Sequence, residues 1–231
     1  MKKTLSLIMV FVAAVMWSTP GFSGNAYVSG NVGISWLSDS ENRPHNLEDI
    51  EDCGGVDISY GSGLSVIGAA GYDFGDIRVE GELGYQSGDI ESVYSYYDEE
   101  SYEGVGDVDI TSLMVNVAYD ISLGNVEVYP FVGVGGVRVS FDEATLCGSA
   151  AEDYEDNGIE GMDQWYLKNK NQTSFAYQIG AGVALPVADD IMVDARYRYF
   201  DIAEFALAPG GPAHNVDMAS HSAMLGLRVA L

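Results

Sequence analysis

From about residue 25 onward the chain repeats one pattern. Stretches of roughly 10 to 14 residues alternate apolar and polar side chains, and each is closed by Gly, Pro, Asp or Asn. In the third stretch Ile77, Val79, Leu83 and Tyr85 share one face, while Arg78, Glu80, Glu82 and Gln86 share the other. In the seventh, Ile191, Val193, Ala195, Tyr197 and Tyr199 oppose Met192, Asp194, Arg196 and Arg198. In the last, Ala223, Leu225, Leu227, Val229 and Leu231 oppose Met224, Gly226, Arg228 and Ala230. Successive side chains of a strand point to opposite faces, so this period of two predicts strands and excludes helices. The pattern places eight of them, at 25–37, 63–74, 76–87, 110–120, 126–141, 173–185, 190–202 and 217–231.

The connections alternate in length. Gly75-Asp76, the segment from Ser122 to Asn125, and Pro186 to Asp189 read as tight turns, and the stretches 38–62, 88–109, 142–172 and 203–216 as long loops. Short turns on one rim and long loops on the other predict an all-β, eight-stranded, antiparallel up-and-down transmembrane barrel with periplasmic turns and extracellular loops. A soluble barrel would alternate too, but the details favour the membrane. The polar face carries charges of both signs in mid-strand. The apolar face carries Trp36, Tyr72, Tyr85, Tyr119, Phe175 and Tyr199 near strand ends, as interfacial girdles do.

Residues 1–23 read as an export signal. Lys2 and Lys3 precede an apolar run from Leu5 to Trp17, Pro20 and Gly21 break it, and Gly21 and Ser23 suit cleavage after Ser23. The barrel domain is then 24–231. No later segment is apolar for long enough to cross a membrane as a helix, so any crossing is made by strands.

Charge sharpens the picture. Ten Lys and Arg stand against 35 Asp and Glu, a net charge of −25, which excludes nucleic acid as a partner. On the strand phases, Arg78, Glu80, Glu82, Arg138, Asp194, Arg196, Arg198 and Arg228 are expected to point into the lumen. An eight-stranded barrel has an interior just wide enough for side chains to fill, and buried charges must pair. A salt-bridged plug is therefore expected, with a narrow Arg-lined channel as the rival.

Twenty-three of the 35 acids fall in the first three long loops. Among them stand Tyr94, Tyr96, Tyr97, Tyr102, Tyr154, Trp165 and Tyr166, residue types that make binding hot spots. The loops therefore read as an adhesion or interaction surface for a host or cell-surface ligand, with a solvated rim lacking any dedicated partner as the bland alternative. Cys53 and Cys147 lie in the first and third loops. In an oxidising compartment two Cys suggest a disulfide, the alternatives being free thiols or an intermolecular bond. Neither has a second Cys or His at metal-ligand spacing. The segment Asp153 to Gly158 resembles the start of a calcium loop, but its twelfth position is Gln164 and no helices are expected around it. No cofactor or specific metal is expected.

Catalysis finds little support. A hydrolase needs a nucleophile, His and carboxylate that converge. In Ser220-His221-Ser222 neighbouring side chains alternate faces, and His221 takes the apolar phase. His45 and His214 sit in loops.

Four stretches taken together resemble the small outer-membrane β-barrel family of OmpA-like and opacity-type proteins: Ser112-Leu113-Met114-Val115-Asn116-Val117-Ala118-Tyr119-Asp120, Val128-Tyr129-Pro130-Phe131-Val132-Gly133-Val134-Gly135, Phe175-Ala176-Tyr177-Gln178-Ile179-Gly180-Ala181-Gly182-Val183 and Asp194-Ala195-Arg196-Tyr197-Arg198-Tyr199. The resemblance implies a barrel seated in outer-membrane lipid, and the chain is expected to be a monomer without enzymatic activity. It also implies that barrel-insertion machinery reads the C-terminal strand. The family commonly ends in Phe and this chain in Leu231, but the alternation before it is intact. The cell-wall anchoring of some relatives is not implied.

Overall fold

The computed structural model describes residues 26–38, 40–42, 56–95, 100–103, 106–142, 144–145, 166–167, 170–207 and 214–231. Eight long strands form the wall: β1 (Ala26–Leu37), β2 (Ser62–Asp73), β3 (Ile77–Ser95), β4 (Asp107–Tyr119), β5 (Val126–Asp142), β6 (Lys170–Ala188), β7 (Ile191–Leu207) and β8 (His214–Ala230). Each pairs antiparallel with its sequence neighbour, and β1 pairs with β8. The barrel is thus closed and has no open edge, which lets strands cross lipid with every ladder hydrogen bond made. No helix among the described residues is long and apolar enough to cross a membrane.

The tight turns fall where the chain changes direction. Gly124 adopts φ +70°, a left-handed conformation that glycine reaches without a Cβ clash, and Ile121–Leu123 folds back on Val126–Val128 around it. Asp189 and Asp190 turn β6 into β7.

At the opposite end the strands run further than the alternation predicted. β3 and β4 remain paired through Gly88 with Val108 and Asp89 with Asp107, inside the segment expected to be loop. β5 continues to Asp142, β6 begins at Lys170, and β7 reaches Leu207. Short strands build on this extension. Val56–Tyr60 and Glu100–Glu103 flank the end of β3, and Ser40–Asn42 pairs with Val56–Tyr60.

The reason is a reversal of polarity within an unbroken alternation. Low on the wall, outward positions are apolar and inward ones polar: Leu225 is 63% exposed, while Arg198 is 0% exposed. Higher up the sense flips. Asp89, Glu91, Asp107, Asp109, Ser140 and Asp201 occupy the outward positions, while Ile90, Val108, Ile110, Val139 and Ile202 are buried inside. Polar residues concentrated there read as loop because membrane strands are expected to be apolar outside. They are instead the water-facing side of a wall that has left the lipid.

The upper boundary lies at Trp36, Tyr85, Arg138, Tyr177, Tyr199 and His221. Each stands eight residues above a lower position on its strand: Val28, Ile77, Pro130, Leu185, Ile191 and Val229. At roughly 3.3 Å per residue and a tilt of roughly 40°, eight residues rise about 20 Å, close to the apolar band of outer-membrane barrels. Tyr72, Phe74 and Tyr119 mark the lower girdle, with the rings of Tyr72 and Phe74 4.8 Å apart.

Candidate functional site

Three tiers fill the barrel. At the turn end Arg78 Nε donates to Asp120 Oδ2 at 2.6 Å, and Arg228 Nη2 to Glu127 Oε1 at 2.5 Å. Glu127 is half-buried, so this tier meets water at its lower mouth.

The middle tier centres on Glu80 and Glu82, held between cations and amides. Arg196 Nη1 lies 3.1 Å from Glu80 Oε1 and 3.2 Å from Glu82 Oε2. Arg198 Nη1 donates to Glu82 Oε1 at 3.0 Å and to Gln178 Oε1 at 2.9 Å. Asn116 Nδ2 reaches both carboxylates, and Gln178 Nε2 donates to Asn116 Oδ1 at 2.6 Å. Tyr27 donates to Glu80, and Tyr129 to Asp194 at 2.7 Å. Arg78 also lies over the Tyr129 ring, 4.5 Å from its centroid. Each carboxylate here accepts from several donors, the condition under which a buried charge is tolerated.

Above this lies a layer of Gln86 with Ser220 and Ser222, and then an apolar tier. Leu37, Ile90, Val108, Ile110, Val137, Val139, Phe200 and Ile202 pack there as one cluster. Phe200 forms its base, its ring centroid 5.1 Å from the guanidinium carbon of Arg198 beneath it. The lumen is therefore a buried, ion-paired core below and an apolar core above.

Seven of the eight residues expected in the lumen point inward and are buried: Arg78, Glu80, Glu82, Asp194, Arg196, Arg198 and Arg228. Arg138 is a correction. It is exposed on the outer wall, between buried Val137 and Val139, with Thr111 and Thr173 beside it in register. Tyr129, Phe131, Val137 and Val139 fix the inward phase of β5 without a bulge, so position 138 must face out. Its charge suggested the lumen, but it stands at the upper boundary, where an outward Arg can reach water or headgroups.

Reading the sequence alone misses Tyr27, Asn116, Asp120, Glu127, Tyr129 and Gln178 as members of the network. The two tyrosines had a signal. Gly71 faces Tyr27 and Gly182 faces Tyr129 across the ladder, and a Cβ at either glycine would run into the ring. A glycine opposite an inward aromatic makes the room that a narrow lumen lacks.

Of the loop residues, Tyr94 is half-buried on β3 and opposes Asp57 and Ser101 in register. Tyr102 pairs with Val93 and Tyr166 with Thr145 along the backbone. Tyr96, Tyr97, Tyr154, Trp165, Cys53, Cys147, His45, the Asp153 to Gly158 segment and residues 1–23 lie outside the described residues. His221 faces outward, where its Nδ1 is 2.8 Å from the Tyr197 hydroxyl.

A closed barrel of this strand number, with charge inside and apolar residues outside, has counterparts among known proteins. The family model described as outer membrane protein beta-barrel domain matches residues 4–228. The chain belongs to this family. It is a protein of the Gram-negative outer membrane, with its wall in the lipid. Among solved structures, this outer-membrane barrel is similar to Neisserial surface protein A, at 20% identity and a TM-score of 0.54 over 90% of this chain and 99% of that one. It is also similar to a major outer membrane protein of Thermus thermophilus, at 13% identity and a TM-score of 0.50 over 91% of this chain and 100% of that one. At these identities the likeness concerns the fold. No curated protein sequence matches this outer-membrane barrel.

Proposed function

We propose that this barrel is a surface interaction protein whose acidic, aromatic loops contact a host or cell-surface ligand, with envelope integrity as a companion role. The observation that carries the reading is the upper wall. A stalk with its own apolar core and an acidic exterior rises above the aromatic girdle and is widened by Ser40–Asn42, Val56–Tyr60 and Glu100–Glu103. A structure that raises loops clear of the membrane suits recognition. In this reading residues 1–23 are the export signal, 24–231 the mature monomer, and Cys53 and Cys147 are joined across the mouth. The buried ion pairs act as a rigid filling of the stand.

The rival channel reading draws on the arginines in the lumen. Their engagement with carboxylates, and the apolar tier above them, count against it. The reading is tested with bacteria displaying the chain on their surface. Cells carrying it should adhere to epithelial monolayers or to one another more than vector controls. Deleting residues 43–55 or 146–165 should abolish the gain while a heat-dependent gel shift still reports a folded barrel. Adhesion equal to the control, together with discrete conductance steps in a planar bilayer, would replace this reading with the channel.

A further inference from the structure

Among the described residues, two groups of buried side-chain atoms in the lumen have no hydrogen-bond partner. At the turn end they are Arg78 Nη2, Arg228 Nε, Asp120 Oδ1, Ser29 Oγ and Asn31 Oδ1. Donors and acceptors are mixed there, and water suits such a mixture. At the top of the ion-paired tier they are Arg198 Nε, Arg198 Nη2 and Gln86 Nε2. These are nitrogens that only donate, with one, two and two N–H bonds respectively.

The strand register brings the second group together. Arg198 on β7 stands opposite Ser222 on β8. Ser222 and Ser220 both donate to Gln86 Oε1, at 3.4 and 2.9 Å, which engages the oxygen end of the amide and leaves Nε2 as its free end. Arg198 and Gln86 are 0% and 1% exposed, so bulk water does not reach these donors. Ser35 and Ser65 continue the layer, in register with Ser222 and Gln86. Short serines around two long side chains give room for a small ion between the long ones.

Charge gives the sign of the occupant. Among the described residues Arg198 meets one carboxylate, Glu82, through Nη1, and Arg196 shares that carboxylate. The remaining N–H bonds of the Arg198 guanidinium meet no acceptor, and a buried cationic donor left unpaired is costly. Water would bring two hydrogens to a place whose unpartnered atoms all donate. Sulfate or phosphate is larger and carries more charge, and the apolar tier based on Phe200 closes the site from above. A monovalent halide accepts from several donors, donates nothing and tolerates an apolar neighbour.

We propose that the lumen holds one chloride ion between Arg198 and Gln86, where the ion-paired tier meets the apolar one. The ion supplies the acceptor that the five N–H bonds lack. It is independent of the adhesion reading, since it uses the interior of the barrel and no loop.

The test is urea unfolding in lipid vesicles, in sodium chloride and in sodium gluconate of equal ionic strength, gluconate being too large for the site. Chloride at about ten times its dissociation constant should raise the folding equilibrium constant about tenfold, and bromide should replace it. Gln86→Glu puts a carboxylate where the amide stands, so the chain supplies its own acceptor and should lose the chloride dependence. Gln86→Leu removes the amide donors and should weaken the dependence, a second readout should the first variant not fold. A heat-dependent gel shift confirms that each variant is a folded barrel. Crystals grown in bromide should show one anomalous peak between Arg198 and Gln86. A chloride effect absent from wild type, or equal in wild type and Gln86→Glu, would overturn the proposal. So would bromide-grown crystals with water, and no anomalous scatterer, beside Arg198.

Discussion

The lower and upper halves of this barrel use the same backbone with opposite chemistry. Below the girdle the solvent of the wall is lipid, and the charged residues Glu80, Glu82, Arg196 and Arg198 are buried inside. Above it the solvent is water, and Val108, Ile110, Val139 and Ile202 are buried instead. Strands and their alternation pass through the boundary, and the register of β7 with β8 shifts only above it, between Ile202 and Phe205. What a strand buries is thus set by the medium around it at each height, and a barrel can be a membrane protein and a water-soluble one along a single strand.

The comparison can be broken or sharpened by experiment. The largest effect should come from the polar core. Arg196→Ala leaves Glu80 and Glu82 buried without their shared cation, and removing one partner of a buried ion pair costs about 3 to 5 kcal/mol. Urea unfolding in lipid vesicles should show this loss. A loss below about 1 kcal/mol would mean that water reaches the pair.

Next comes the outer wall. Val115→Arg places a cation midway up the apolar band and should cost about 2 to 4 kcal/mol in the same assay, whereas Ser140→Arg, above the girdle, should cost about 0 to 1. Equal losses at both sites would put the boundary in the wrong place. The smallest effect probes the apolar tier, where Ile110→Val removes one methylene from a packed core. A loss of about 0.5 to 1.5 kcal/mol is expected, and none would mean that the tier is loose.

Much of this was legible beforehand. The phases of β3, β7 and β8 could be read residue by residue, because alternation is a local property and each strand carries it in full. Seven lumen charges followed from those phases. Arg138 went astray because the rule that charge faces the lumen holds only at membrane depth, and depth is not written at any single position. The upper ends of β3, β4 and β7 resemble loop in the sequence for the same reason: Asp89, Asp107, Asp109 and Asp201 are polar on the face expected to be apolar.

The sequence by itself determined the strands, their order, the short and long connections and the faces of most residues. These rest on period-two alternation and turn chemistry, which act between neighbours in the chain. Only the tertiary structure decided which carboxylate each arginine meets, where glycine makes room for Tyr27 and Tyr129, and at what height the wall changes polarity. The first two depend on the register between strands, which brings together residues as far apart in the chain as Glu80 and Arg196, and the third on the medium around the closed wall, neither of which any local pattern relates.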